Sequence, residues 1–88
     1  MAWTVEISPQ AGKELLKLPA KHQEQIARTI DQVAQDPTQA QLEALKEKRW
    51  AGCFRKRSGD YRIFMRLNPV QKQLEIISIR RRNEKTYN

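Results

Sequence analysis

Apolar and polar residues alternate over residues 3–7, near the start of the chain. Side chains along a strand point to opposite faces in turn, so Trp3, Val5 and Ile7 would share one face. The pattern predicts a short strand with one buried side.

The spacing of apolar residues becomes helical over residues 9–36. Ser8 is typical of an N-cap and Pro9 of the first helical position, so a helix is predicted from here to about Leu18. A second helix is predicted from position 19 or 20 to about position 35, where Asp36-Pro37 ends it. Its apolar residues are Ile26, Ile30, Val33 and Ala34. The two helices are expected to form a hairpin that packs on a sheet.

A β-hairpin is predicted next, with strands at residues 54–57 and 61–66 and a Gly-containing spacer, Ser58-Gly59-Asp60. Alternation sorts the second strand into an apolar face for the core (Tyr61, Ile63, Met65, Leu67) and a second face (Arg62, Phe64, Arg66). Arg55 and Arg57 share one face of the first strand. If the register matches, Arg55, Arg57 and Arg62 meet on the face away from the core, where arginine forks suit phosphate.

The remaining segments complete an α+β prediction. Residues 38–49 are predicted to be a loop with partial helix, and Trp50 either belongs to the core, which is favoured, or stacks on a base. Residues 68–71 form a turn, and the isoleucine-rich residues 73–79 form a central strand. The predicted fold is an N-terminal strand, a helical hairpin and a three-stranded antiparallel segment, giving one mostly antiparallel sheet with the helices on one face.

Positive charge is concentrated in the second half of this 88-residue chain, whose length fits a single domain, residues 1–88. Residues 1–48 contain 6 Lys and Arg against 7 Asp and Glu, a net −1. Residues 49–88 contain 11 against 3, a net +8, so the two halves sum to the overall +7. A polyanion site is therefore expected in the C-terminal half. Nucleic acid is the commonest such polyanion, although an acidic protein or an anionic membrane surface would also fit.

Other site classes are not favoured. One cysteine, Cys53, excludes an internal disulfide, and one Cys with one His is too few for a zinc site, so no metal or cofactor is expected. The first residues lack a signal-peptide pattern, and no stretch is long enough to span a membrane, so a cytoplasmic protein is expected.

The order of motifs resembles the RelE/ParE superfamily of toxins, over nearly the whole chain. The motifs are S-P-x-A-x-x-x-L-x-K-L-P, D-P, L-K, F-R-x-R-x-G-D-Y-R-I, an isoleucine-rich strand, an arginine triplet and a terminal tyrosine. Here they are Ser8-Pro9, Lys17-Leu18-Pro19, Asp36-Pro37, Leu45-Lys46, residues 54–63 and residues 80–87.

The resemblance implies a toxin of a type II toxin–antitoxin module. RelE-like members cut mRNA in the ribosomal A site without a metal, and a RelB-type antitoxin, expected to be acidic, wraps around them. The family's catalytic positions fall on Arg62, on Arg81 or Arg82, and on Tyr87. Arg55 and Arg57 fall on its first basic pair and suit RNA or phosphate binding, and Lys56, on the alternate strand face, is a weaker candidate for the same role. Arginine stays protonated, so that first pair is not expected to act as a base.

Three alternatives stay open at this point. A ParE-like toxin of the same fold would inhibit DNA gyrase and would need no nuclease site. A non-catalytic module would bind RNA in a salt-dependent way without cleaving it. An inactive relic of either would keep the fold alone. The complete basic set with Tyr87 favours the ribonuclease.

Overall fold

The computed structural model of the chain describes residues 2–46, 48 and 52–81. In chain order the elements are β1 (Thr4–Ile7), α1 (Pro9–Leu16), α2 (Ala20–Gln35), a 3-10 turn (Pro37–Gln39), β2 (Glu43–Ala44), β3 (Cys53–Ser58), β4 (Tyr61–Asn68) and β5 (Gln73–Arg81). Within these ranges, no helix has the length and apolar character needed to cross a membrane.

Both predicted helices are present, and local sequence explains their limits. The Ser8 hydroxyl accepts a hydrogen bond from the Ala11 amide at 3.1 Å, as an N-cap does. α1 ends at Leu16, slightly before the predicted end at about Leu18. α2 ends where predicted, because Asp36 leaves the helical conformation and its carboxylate accepts the first amide of the 3-10 turn.

The strands form one sheet in the order β1–β5–β4–β3–β2. β1 runs parallel to β5, and the other three pairs are antiparallel. The predicted α+β fold with a mostly antiparallel sheet is therefore confirmed. β5 lies between β1 and β4, which agrees with its prediction as a central strand.

The hydrophobic core lies between the helices and one face of the sheet, here called the inner face. The predicted apolar stripe of α2 packs against Ile63 and Met65 of β4, both 0% exposed. Burying each such side chain contributes about 1.5–3 kcal/mol. The core also includes Ala11, Tyr61, Leu74, Ile76 and Ile79. The opposite, outer face of β3, β4 and β5 is where the arginines lie.

The prediction of one buried side for β1 is wrong in part. Val5 is half-buried and packs on the core, but Ile7 remains 44% exposed. α1 presents Gly12 beside Ile7, since a Cβ at Gly12 would lie 3.9 Å from the Ile7 Cγ2. A glycine has no side chain with which to cover its neighbour, so Ile7 stays partly in solvent.

The prediction for residues 38–49 needs a correction. The segment contains a fifth strand, β2, whose Glu43 pairs with Arg55 and whose Ala44 pairs with Phe54. Two residues are too few to show an alternating pattern in the sequence. They become a strand only by pairing with β3. Trp50, predicted to be in the core or to stack on a base, lies outside the described residues.

Helix α1 covers the part of the β5 edge that β1 leaves unpaired. β1 pairs with β5 only as far as Ile76. Beyond it, the Ser8 hydroxyl donates to the Ile77 carbonyl at 2.9 Å, and the Glu14 carboxylate accepts from the Ile79 amide at 2.9 Å. Side chains thus satisfy backbone groups that would otherwise form a bare sheet edge.

Candidate nucleic-acid interface

Strand pairing arranges the outer-face side chains in rows that cross β3, β4 and β5. The row nearest the β3–β4 turn consists of three arginines, because Arg57 pairs with Arg62 and Arg62 pairs with Arg80. We call these three residues the arginine row. Like charges directly opposite each other destabilise a sheet. An anion placed over this row would relieve that repulsion.

Arg55 lies in the next row, opposite Phe64 on β4 and Glu43 on β2. Its guanidinium group donates a hydrogen bond to the Glu43 carboxylate. That hydrogen bond, the positive charge of Arg55 and, more weakly, the charges of Arg57 and Arg62 hold the pKa of the Glu43 carboxyl below its usual range. The predicted meeting of Arg55, Arg57 and Arg62 on one face is confirmed by the register.

The row at the far end of the outer face is built differently. Arg66 pairs with Cys53 on β3 and with Glu75 on β5. Its guanidinium group lies 3.7 Å from the Glu75 carboxylate and 3.9 Å from the Cys53 sulfur. Cys53 itself is buried, at 2% exposure. The charge of Arg66 is therefore compensated within the sheet.

Lys56 lies on the inner face, opposite Ile63 of β4. Its ammonium group donates a hydrogen bond to the Ala40 carbonyl at 2.7 Å, in the segment that leads to β2. The structure therefore does not bring this candidate phosphate ligand to the arginine row, and it gives Lys56 a hydrogen bond that holds the segment before β2 against the sheet.

The end of β5 separates two neighbouring arginines. Arg80 belongs to the arginine row, whereas Arg81 pairs with Tyr61 and is exposed on the inner side. There it lines a depression of about 210 Å³ together with Glu14, Lys17 and Leu18. The structure thus does not bring the predicted catalytic Arg81 beside Arg62, and it places Arg80, which the sequence analysis did not single out, in the arginine row. Arg82 and Tyr87 lie outside the described residues.

The turn between β3 and β4 is anchored to α2, which fixes the position of the arginine row. The hydroxyls of Thr29 and Ser58 form a hydrogen bond of 2.7 Å. Gly59, the first turn residue, has φ +59° and lies so close to Gln25 that a Cβ there would come within 2.5 Å of its amide nitrogen. Glycine adopts this positive φ at low cost, which residues with a side chain rarely do.

The chemistry available to the arginine row follows from its residue type. Guanidinium groups stay protonated, offer several N–H donors in a plane and match phosphate oxygens two at a time. The row can therefore bind a phosphate and stabilise negative charge that develops on it. None of its members can remove a proton.

Comparison with known proteins places this geometry in a family. The sequence matches the family described as the ParE toxin of the type II toxin–antitoxin system, parDE, over residues 5–86. The fold is similar to that in the toxin–antitoxin complex RelBE2 of Mycobacterium tuberculosis, with a TM-score of 0.84, 22% identity and coverage of 96% of this chain and 95% of that chain. No curated protein matches the sequence significantly.

Two further structures resemble the chain. For the archaeal RelE–RelB complex of Pyrococcus horikoshii the TM-score is 0.79, with 26% identity over 96% of this chain and 99% of that chain. For the isolated RelE toxin of E. coli it is 0.78, with 18% identity over 98% of this chain and 92% of that chain. The family match spans nearly the whole sequence, and these folds agree with it. The chain belongs to the ParE toxin family, within the RelE/ParE superfamily of type II toxin–antitoxin toxins.

Proposed function

We propose that this toxin is a ribosome-dependent, metal-independent mRNA endoribonuclease, which acts in the cytoplasm and stops translation by cutting mRNA in the ribosomal A site. The observation that carries the proposal is the arginine row, in which Arg57, Arg62 and Arg80 pair across three strands, with Arg55 in the next row. Such a concentration of guanidinium groups on one sheet face suits a phosphodiester undergoing reaction.

The reaction uses the RNA's own 2′-hydroxyl group. The 2′-oxygen loses its proton and attacks the adjacent phosphorus, a pentavalent phosphorane with extra negative charge forms, and the 5′-oxygen leaves and takes up a proton. The products are a 2′,3′-cyclic phosphate and a new 5′-hydroxyl end. The toxin has to hold the in-line geometry and stabilise the charge on the non-bridging oxygens.

Arg62 has the central part in this proposal, because it lies in the middle of the arginine row on a strand that is paired on both sides. It would donate to the non-bridging oxygens in the transition state, while Arg57 positions the phosphate and Arg55, whose charge Glu43 partly compensates, contributes more weakly. Lys56, whose ammonium is held by Ala40, contributes only long-range attraction to RNA.

The proton transfers require a group outside the arginine row. In the proposal Tyr87 accepts the proton of the 2′-hydroxyl, since neighbouring positive charge favours the phenolate. Arg80 in the arginine row, and Arg82 near the same end of the chain as Tyr87, add to charge stabilisation, whereas Arg81 lies on the inner side. A weak base fits the dependence on the ribosome, because a ribosome that orients the substrate supplies part of the barrier reduction.

An acidic, RelB-type antitoxin is the proposed partner. RelE–RelB complexes are among the structures that this fold resembles. A face with three arginines in one row would bind nucleic acid indiscriminately unless an acidic chain covered it. Titration of the purified toxin with the product of the neighbouring gene tests this partner, and the absence of a complex would contradict it.

A toeprint of a translating-ribosome reaction, with wild type and Arg62→Ala, tests the activity. New mRNA ends within the A-site codon, lost in the variant, are the expected result. Intact mRNA with wild-type toxin would overturn the proposal.

The second candidate is inhibition of DNA gyrase, which the match to the ParE family favours. A gyrase supercoiling assay distinguishes it. Inhibition of supercoiling by a toxin that leaves mRNA intact would establish this alternative, and the arginine row would then be assigned to DNA or gyrase binding.

A further inference from the structure

A hydrogen bond to a neighbouring side chain of β5 holds the guanidinium group of Arg80 in place. Its Nε–H donates a hydrogen bond to the Ser78 hydroxyl oxygen at 3.1 Å. Within the described residues, no hydrogen bond or ion pair engages its two terminal nitrogens. An arginine side chain otherwise has many rotamers to lose on binding, and this contact fixes one of them while leaving the end of the fork available for a ligand.

The direction of the contact is set by what holds Ser78. Ser78 is 1% exposed, and its hydroxyl donates to the Glu14 carboxylate at 2.9 Å. A carboxylate only accepts hydrogen bonds and a guanidinium only donates them. The hydroxyl hydrogen is therefore committed to Glu14, and the oxygen's lone pairs are left for Arg80. The three side chains are linked by two hydrogen bonds: Arg80 donates to Ser78, and Ser78 donates to Glu14.

Glu14 is itself fixed, because the same carboxylate oxygen accepts the amide of Ile79 at 2.9 Å. That second bond satisfies the β5 edge without any help from Ser78. The bond from the Ile79 amide to Glu14 would therefore form even if the Ser78 hydroxyl bonded neither Glu14 nor Arg80. A buried, fully engaged hydroxyl between a carboxylate and an arginine is instead the arrangement that orients a charged ligand-binding group.

We propose that Glu14 and Ser78 are positioning residues, which hold Arg80 beside Arg62 so that the two guanidinium groups engage one RNA phosphate. Neither residue touches the substrate, and both act through Arg80. The part of this inference that concerns cleavage rests on the proposed ribonuclease function. The part that concerns phosphate binding rests on the geometry alone.

A double-mutant cycle tests the inference. Ser78→Ala removes the hydroxyl with little change in volume and leaves the Glu14–Ile79 bond intact, so the fold should persist. Cleavage rates on translating ribosomes are compared for wild type, Ser78→Ala, Arg80→Ala and the double variant. Ser78→Ala should lower the rate by about tenfold, as expected when a hydrogen bond to a charged group is lost. In the Arg80→Ala background it should change the rate by less than about twofold.

Arg66 supplies the matched control, because it lies on the same face of β4 but at the far end. In an Arg66→Ala background, Ser78→Ala should keep its effect of about tenfold. An equal loss in the wild-type and Arg80→Ala backgrounds would mean that Ser78 serves the fold alone, and the inference would be overturned. Urea unfolding of each variant shows whether the fold is retained.

A second readout separates this inference from the proposed function. If wild-type toxin leaves mRNA intact, the ribonuclease fails, and the same cycle is then run on the affinity for a single-stranded RNA oligonucleotide. Non-additive losses from Ser78→Ala and Arg80→Ala would still support the positioning of Arg80. Additive losses would overturn it.

Discussion

The two ends of the outer sheet face contain the same residue type in opposite electrostatic settings. At the turn end, Arg57, Arg62 and Arg80 lie opposite one another across the sheet. At the far end, Arg66 pairs with Glu75 and has its carboxylate 3.7 Å away. The difference shows that an arginine on a sheet face is a candidate for function when its cross-strand partners raise the charge and do not cancel it.

The largest expected effect separates these two ends directly. Arg62→Ala should lower the rate of mRNA cleavage by about 10²–10³-fold, the cost of removing a donor to developing negative charge. Arg66→Ala, on the same strand and face, should change the rate little, because its charge is already compensated. Quantified toeprints with both variants check this. Equal losses in the two variants would mean that total charge, and not position, governs cleavage.

The second prediction separates the outer face from the inner one. Ile63, next to Arg62 along β4, is 0% exposed in the core. Ile63→Val should lower the free energy of unfolding by about 0.5–1.5 kcal/mol and leave cleavage unchanged while the protein stays folded. Arg62→Ala should have the opposite effect: it should leave the urea midpoint of unfolding at the wild-type value and abolish cleavage. A large loss of cleavage in a folded Ile63→Val variant would contradict this division.

Most of the fold could be predicted from the sequence, because its signals are local. The alternation over residues 61–67 fixed which side chains face the core, and Ser8-Pro9 and Asp36-Pro37 marked helix limits that the structure reproduces. β2 escaped prediction because its two residues become a strand only through pairing with β3, a contact between segments distant in the sequence.

The site was harder to predict than the fold, and a single bulge explains why. Leu74 and Ile76 face the core, so strict alternation along β5 would turn Arg80 inward and Arg81 outward. The register shifts opposite Phe64 and Met65, where Ile77 is the extra residue. This extra residue reverses the sheet face on which each later side chain of β5 lies. Arg80, and not Arg81, therefore lies beside Arg62. A bulge depends on how two strands pair, and no local signal in β5 indicates it.

The third prediction concerns Glu43, the carboxylate that compensates Arg55. Glu43→Ala should free Arg55 for phosphate and strengthen RNA binding at low salt. The dependence of log affinity on log salt concentration should steepen by about 0.7, the value for one more contact to a single strand. Glu24→Ala on α2 removes the same charge from an exposed carboxylate that lies near Arg28, and it should leave the slope unchanged. A change of slope in both variants would mean that net charge alone is responsible.

The pKa of Glu43 sets the pH at which wild type and Glu43→Ala should no longer differ in RNA affinity. The hydrogen bond and charge of Arg55 hold the pKa of the Glu43 carboxyl below its usual range. A lowered carboxyl pKa means that the interaction is present above the unfolded-state pKa and is lost only as the pH falls through the folded-state pKa. Wild type and Glu43→Ala should therefore differ in RNA affinity at pH 7 and at pH 5. They should converge only below pH 4.5.

The smallest expected effect tests whether the far end can be converted into a site. Glu75→Ala removes the carboxylate partner of Arg66 on the outer face. Partly exposed ion pairs are worth about 0.2–1 kcal/mol, so RNA affinity should rise only slightly. Cleavage should not change, because Arg66 lies at the opposite end of β4 from the arginine row. If Glu75→Ala raised cleavage as much as affinity, position within the face would not matter, and the distinction between the two ends would fail.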